Sequence, residues 1–248
     1  MVNANSPAYL IVGGGRWGGR MHAILTGEGR RAEFASGLRR QSNESSGAHE
    51  ARLAQTFSHS SAQIAWLCVP PGAHVPTLIH AAFAAGLHVI VEKPWVYTRA
   101  ETTELQDAAT SAGLKGGVHF EYCQLSEIEN WQRRYEQQGG LEFGGTFNVH
   151  AADHLGIPAM QNLGSHLVAM HEYAVPHSRL SKIHCGYELP DERMVWVDSD
   201  KKRVASIDFL DSKEPIVQRF VLGFENSLSG KPFPFDFEFA QRVNENLR

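Results

Sequence analysis

The segment Ile11-Val12-Gly13-Gly14-Gly15-Arg16-Trp17-Gly18 places three glycines at G-x-G-x-x-G spacing. That spacing has a physical use. Gly13 permits a tight turn, Gly15 lets the backbone approach a pyrophosphate, and Gly18 lets a helix pack closely on a strand. The helix that opens there offers N–H donors and a partial positive charge to an anion. Gly13, Gly15, Arg16, Trp17 and Gly18 are therefore candidate contacts for a dinucleotide. About 20 residues further on, an NAD site places an acid on the ribose diol. Here the position holds Arg39, then Arg40, and no acid stands between Ser36 and Ser42. A guanidinium suits a 2′-phosphate, so NADP(H) is expected to bind in preference to NAD(H).

The elements that would carry these residues follow from hydrophobic periodicity. Strands are expected at 8–12, 32–38, 64–69, 88–91 and 115–120, and helices at 17–25, 76–85 and 99–112. Residues 36–62 are less regular, and 41–49 read as a loop rich in Ser, Asn and Gly. Strands alternating with helices argue for a parallel sheet covered on both faces. Beyond residue 121 the pattern changes. One helix is expected over 125–138. Strand-like runs then follow at 145–150, 182–189, 193–197, 204–210 and 217–224, and a closing helix at 235–247. Successive strands without helices between them indicate a mainly antiparallel sheet. The fold class is thus α/β. An N-terminal Rossmann domain with a doubly wound parallel sheet (1–121) precedes a smaller α/β domain with an open, mainly antiparallel sheet (122–248), expected to bind substrate and to mediate oligomerisation.

Composition narrows the function. With 42% hydrophobic and 20% charged residues, the chain reads as an ordinary globular protein. The net charge of -4 supplies no basic field for nucleic acid or an anionic membrane. Cys68, Cys123 and Cys185 are far apart and form no C-x-x-C pair, which argues against a disulfide framework and fits a reducing compartment. The N-terminus carries no basic region ahead of its apolar run, and no stretch is long and apolar enough to span a bilayer. A cytoplasmic location is expected. His150, His154, His166 and His171 lie close in sequence, but no acidic or cysteine ligand joins them in a recognised arrangement, so no metal is expected.

Several segments together resemble the Gfo/Idh/MocA oxidoreductase family, named after glucose–fructose oxidoreductase and inositol dehydrogenase. They are Ala65 to His74, Ala81 to Gly86, and Leu87-His88-Val89-Ile90-Val91-Glu92-Lys93-Pro94, with Glu-Lys-Pro the most specific. Gly156-Ile157-Pro158, Asn162 to His166 and Phe233 to Leu247 are similar to later family segments. The resemblance implies NAD(P)-dependent oxidation or reduction of a sugar, polyol, keto or imine carbon. It implies that Lys93 sits near the nicotinamide and that Pro94 follows a cis bond. It also implies that His166 is an acid–base group, and that Pro70, Pro71 and His74 border the nicotinamide half. Glu92 is grouped with Lys93 as a cofactor contact. Two positions depart from the family. Asn162 stands where many members carry Asp, and Ala169 where another acid often follows.

Lys93 beside a cationic nicotinamide would have its ammonium form disfavoured, which suits proton transfer near neutral pH. Asn162 can orient His166 or bind substrate but carries no charge. Trp17, Trp95 and Tyr122 are candidates for the wall of a cleft, with packing the equal alternative. Lys93 and His166 are expected to meet across the cleft between the domains. The chain is expected to act on a small keto or imine substrate in the reducing direction, as a homo-oligomer. The alternatives are a sugar or cyclitol dehydrogenase with an altered acid–base site, or a cofactor-binding protein without turnover.

Overall fold

In the computed structural model, which describes residues 6–35, 38, 42–138, 142–147, 157–158, 160–175, 180–188, 191–198, 204–208 and 214–247, the chain forms two units. The first comprises Met1–His119 together with Gly223–Glu238. The second comprises Phe120–Leu222 and Phe239–Arg248.

The first unit alternates strand and helix as β1 (Tyr9–Val12), α1 (Arg16–Gly27), β2 (Ala32–Phe34), α2 (Ser46–Ser58), β3 (Ile64–Leu67), α3 (His74–Ala84), β4 (His88–Glu92), α4 (Arg99–Ser111) and β5 (Gly116–His119). β1, β3 and β5 are buried at every residue. A strand covered on both faces needs no polar alternation, which is why β1 and β3 read as continuous apolar runs. The five strands pair in parallel in the order β2-β1-β3-β4-β5. Register sets Val12 beside Leu67, Leu67 beside Val91 and Glu92 beside His119, so the carboxyl ends share one edge. Ligands of open parallel sheets bind outside that edge.

The expectation of a loop over 41–49 is corrected by α2. Ser45 caps it by accepting a hydrogen bond from Ala48 N–H at 3.2 Å, and Leu53 and Phe57, four residues apart, are fully buried. The cap and one apolar contact line outweigh a polar first turn. The second strand is also shorter than the expected 32–38, ending at Phe34.

The second unit opens with a short 3-10 turn (Glu121–Gln124) and α5 (Glu127–Gln138). β6 (Glu142–Phe147) follows, then a π-helical turn (Met160–Gly164), α6 (Ser165–Ala174), β7 (Leu180–Glu188), β8 (Asp191–Asp198) and β9 (Val204–Asp208). Its sheet has the order β7-β8-β6-β9. β7 and β8 pair antiparallel, as do β8 and β6, while β6 and β9 are parallel. Two helices end the chain, α7 (Ile216–Leu228) and α8 (Phe237–Asn246).

α7 overturns the expected strand over 217–224. Val217, Phe220, Val221 and Phe224 are buried while Arg219 and Leu222 are exposed. That is a three-and-four spacing, the period of a helix rather than of a strand.

Gly223–Glu238 returns to the first unit, whereas the sequence reading assigned all of 122–248 to the second. The physical reason lies in a charge clasp and a row of aromatics. Glu225 accepts hydrogen bonds from Tyr9 Oη at 2.8 Å and from Arg30 Nε and Nη2 at 2.7 and 3.0 Å. Val118 N–H donates to the Phe235 carbonyl at 2.8 Å, extending the sheet's edge. The Phe237 ring stacks on Trp95 at 4.9 Å. Phe237 and Phe233 occupy the space that side chains at Gly116 and Gly117 would need.

Candidate active site

The glycine loop is fixed by close backbone contacts. Gly13 has φ of +112°, a conformation open to glycine, and a side chain there would overlap the Cys68 carbonyl. A side chain at Gly18 would overlap the Gly13 carbonyl oxygen. By contrast, a Cβ at Gly14 or Gly15 would meet nothing within 4 Å. The loop is therefore tight on its sheet side and open on its outer side. Gly15 caps α1 without any side-chain hydrogen bond, and no acid lies in the first turn. These exposed N–H donors fit the pyrophosphate of a dinucleotide. Arg16 is exposed and Trp17 half-buried, with the Arg20 guanidinium 5.0 Å from its ring.

At the carboxyl ends of β3, β4 and β5 the structure brings together residues that the sequence reading took separately. Pro70 and Pro71 lie on the loop into α3 and His74 is the first residue of that helix, with Pro70 and His74 exposed. Glu92 is the last residue of β4, and half-buried Lys93 follows it. The Lys93–Pro94 bond is cis, as the resemblance implied. Two neighbours of Glu92 escaped the sequence reading. Trp66 Nε1–H donates to Glu92 Oε1 at 2.9 Å, and His119 Nδ1 lies 3.0 Å from the same oxygen. The available signal was positional, since His119 ends β5 at the sheet's ligand edge.

The loop after Lys93 is anchored inward. Trp95 is buried and donates from Nε1 to Thr102 Oγ1 at 2.9 Å, which makes it a packing residue. Tyr97 Oη donates to the Gly72 carbonyl at 3.2 Å and so ties the loop after β4 to the loop after β3. Burial pushes its hydroxyl up to about 12, so it donates throughout the ordinary pH range. Burial, assisted by the nearby Glu92 charge, holds the Cys68 thiol well above its usual value and suppresses the nucleophilic thiolate.

Asn162 and His166 form a separate group in the second unit. Asn162 sits in the π-helical turn and donates its N–H to the Pro158 carbonyl at 3.0 Å. Ser165 Oγ donates to the Asn162 carbonyl at 3.0 Å. His166 is the second residue of α6 and is 4% exposed. Its ring meets Tyr122 edge-on with centroids 4.5 Å apart. α6 shows no amphipathic period in the sequence, because apolar and polar residues are buried along nearly its whole circumference.

Arg39, Arg40, His150 and His154 lie outside the described residues. Among the described residues, no group of three His, Cys, Asp or Glu side chains is placed to hold a metal ion. No helix among them is long and apolar enough to cross a membrane.

Residues 8–120 match the model of an oxidoreductase family with an NAD-binding Rossmann fold. An uncharacterized oxidoreductase of Schizosaccharomyces pombe is 25% identical over 156 residues, which cover 56% of this chain and 41% of that protein. The matched region thus spans less than half of the relative's length. The fold is shared with apo scyllo-inositol dehydrogenase from Lactobacillus casei, at a TM-score of 0.66 and 12% identity over 100% of this chain and 95% of that one. It is shared too with the WlbA dehydrogenase from Thermus thermophilus, solved with NAD and UDP-GlcNAcA. There the TM-score is 0.63 and the identity 13%, over 97% of this chain and 93% of that one.

Proposed function

We propose, from the match of residues 8–120 to the Gfo/Idh/MocA oxidoreductase model with its NAD-binding Rossmann fold, that the protein is an NADP(H)-dependent oxidoreductase acting on a small keto or imine compound. The observation that carries this reading is the glycine loop, closed by Cys68 and Gly13 on one side and open at Gly14 and Gly15 on the other. The cofactor, when bound, supplies or accepts the hydride.

This chain's residues do the rest. The first turn of α1 binds the pyrophosphate through its N–H groups. Pro70, Pro71, His74 and Glu92 border the nicotinamide half. Lys93 Nζ holds the substrate's reacting oxygen or nitrogen and passes it a proton in the reducing direction. His166 orients the substrate and shares in proton exchange, and Asn162 orients His166. Asn162 cannot stabilise an imidazolium as a carboxylate would, which favours reduction over alcohol oxidation. Arg39 and Arg40 supply the charge for a 2′-phosphate. We further propose that the protein is cytoplasmic and assembles as a homo-oligomer.

Titration with NADPH and NADH, followed by fluorescence, tests the cofactor. NADPH is expected to bind more tightly, and Arg39→Asp to erase or reverse the preference. Equal affinities, or tighter NADH binding, would overturn it. The scyllo-inositol dehydrogenase and the WlbA dehydrogenase solved with UDP-GlcNAcA, which share the fold, favour a second reading, a sugar or cyclitol dehydrogenase with an altered acid–base site. Nicotinamide reduction by polyols, against nicotinamide oxidation by keto and imine compounds, separates the two.

A further inference from the structure

Glu92 receives both of its described contacts on one oxygen. Trp66 Nε1–H donates to Oε1 at 2.9 Å, and His119 Nδ1 lies 3.0 Å from it. An indole N–H can only donate, so Oε1 is an acceptor toward Trp66. A carboxylate oxygen has room for a second donor, which assigns the Nδ1–H tautomer to His119. Neither contact uses Oε2.

The imidazole is held in this orientation. His119 is 0% exposed. Trp66 meets its ring edge-on, with centroids 5.0 Å apart at 87°. Trp17, in the first turn of α1, lies against it at 6.1 Å. Turning the ring away from Glu92 would displace one or both indoles. The Glu92 side chain is only 9% exposed, so its geometry is set by these interior donors more than by solvent.

We propose that His119 is a positioning residue for the nicotinamide half of the site. Together with Trp66 it pins one oxygen of Glu92 and leaves the other to accept from a hydroxyl or amide donor of the bound dinucleotide. It also fixes the end of β4, from which Lys93 follows. This inference rests on the reading that the chain binds a nicotinamide dinucleotide.

The test compares a ligand that has the nicotinamide half with one that lacks it. Full-length protein is titrated with NADPH, with NADH and with ADP. His119→Phe keeps a ring between the two tryptophans but loses the Nδ1 donor. His119→Asn restores an N–H near the Nδ1 position. Loss of a hydrogen bond to a charged group is expected to raise the Kd of the preferred dinucleotide about tenfold in His119→Phe. ADP affinity should stay unchanged, and His119→Asn should bind within about threefold of wild type. Trp66→Phe removes the other donor and should give the same selective loss, so it decides the matter should His119→Phe fail to fold. Equal weakening of ADP and dinucleotide would reveal a merely structural role and overturn the proposal, as would no change in either. Wild-type protein that binds neither NADPH nor NADH would instead overturn the cofactor reading on which the proposal rests.

Discussion

The two units place polar groups in their interiors in opposite ways. In the first, the parallel strands are filled with apolar side chains, and polar groups gather where the strands end: the glycine loop, Glu92, Lys93 and His119. In the second, Asn162, Ser165, His166, His171 and Glu172 are all buried, most of them along a single helix, α6. A strand end gives backbone precision at the surface of a covered sheet. A buried polar helix requires each of its polar groups to find a partner inside. Adjacent positions should therefore differ sharply in tolerance in the first unit, while the second should be governed by burial.

The sharpest expected contrast is between Gly18 and Gly19. Both lie in the first turns of α1. A Cβ at Gly18 would overlap the Gly13 carbonyl oxygen, whereas a Cβ at Gly19 meets nothing within 4 Å. Backbone cannot yield as a flexible side chain does. Gly18→Ala is expected to cost about 4 kcal/mol, more than a typical overpacked site, and to abolish dinucleotide binding. Gly19→Ala should raise stability by about 0.5–1 kcal/mol through helix propensity. Urea melts of the two variants check this. Equal behaviour would mean that the loop is not held by backbone apposition.

Next in size is the contrast between Lys93 and His166. Lys93→Met keeps much of the side-chain volume but removes the charge and the donors. It should leave cofactor binding intact and lower turnover by about a hundredfold or more. His166→Ala should lower turnover less, because Asn162 beside it supplies no charge. Single-turnover hydride transfer across pH measures both. Near-normal rates for Lys93→Met at every pH would remove it from the acid–base role. Normal rates for both would place the chemistry elsewhere.

The same contrast explains what could be read in the sequence. β1, β3 and β4, the glycine spacing and the Glu-Lys-Pro turn were legible because burial on two faces and tight turns leave local signatures. α2 was missed because its first turn is polar and its apolar line rests on Leu53 and Phe57. α7 was misread because its apolar residues, Leu222 among them, also suit a strand over a short window, and the helical period emerges only once Leu222 proves exposed while Val217, Phe220, Val221 and Phe224 are buried. The return of Gly223–Glu238 to the first unit depends on Glu225 meeting Tyr9 and Arg30, partners separated by 216 and 195 residues. His119 and Trp66 became site residues only when the sheet register set them around Glu92. No local pattern encodes such pairings.

The smallest expected effect concerns acid and sets one histidine of each unit side by side. His171 on α6 is 0% exposed, and burial lowers its pKa to about 4. In the unfolded chain the same group titrates near its ordinary value, roughly 6.5. Below that value the unfolded state takes up a proton that the native state refuses. The contribution of neutral His171 is thus fully present above about pH 6.5 and lost as pH falls toward 4. Between pH 7.5 and pH 5 the loss amounts to about 2 kcal/mol. His88, at the start of β4, is also lowered, by burial first and by Lys115 second, but it is half-buried and its share should be smaller. His171→Met fills much of the space and removes the titration. Urea midpoints for wild type, His171→Met and His88→Gln, each measured at pH 7.5 and pH 5, test the difference. The fall on acidification should shrink most in His171→Met. An unchanged fall in that variant would show that α6 opens to water before it meets acid, and would remove the burial contrast between the units.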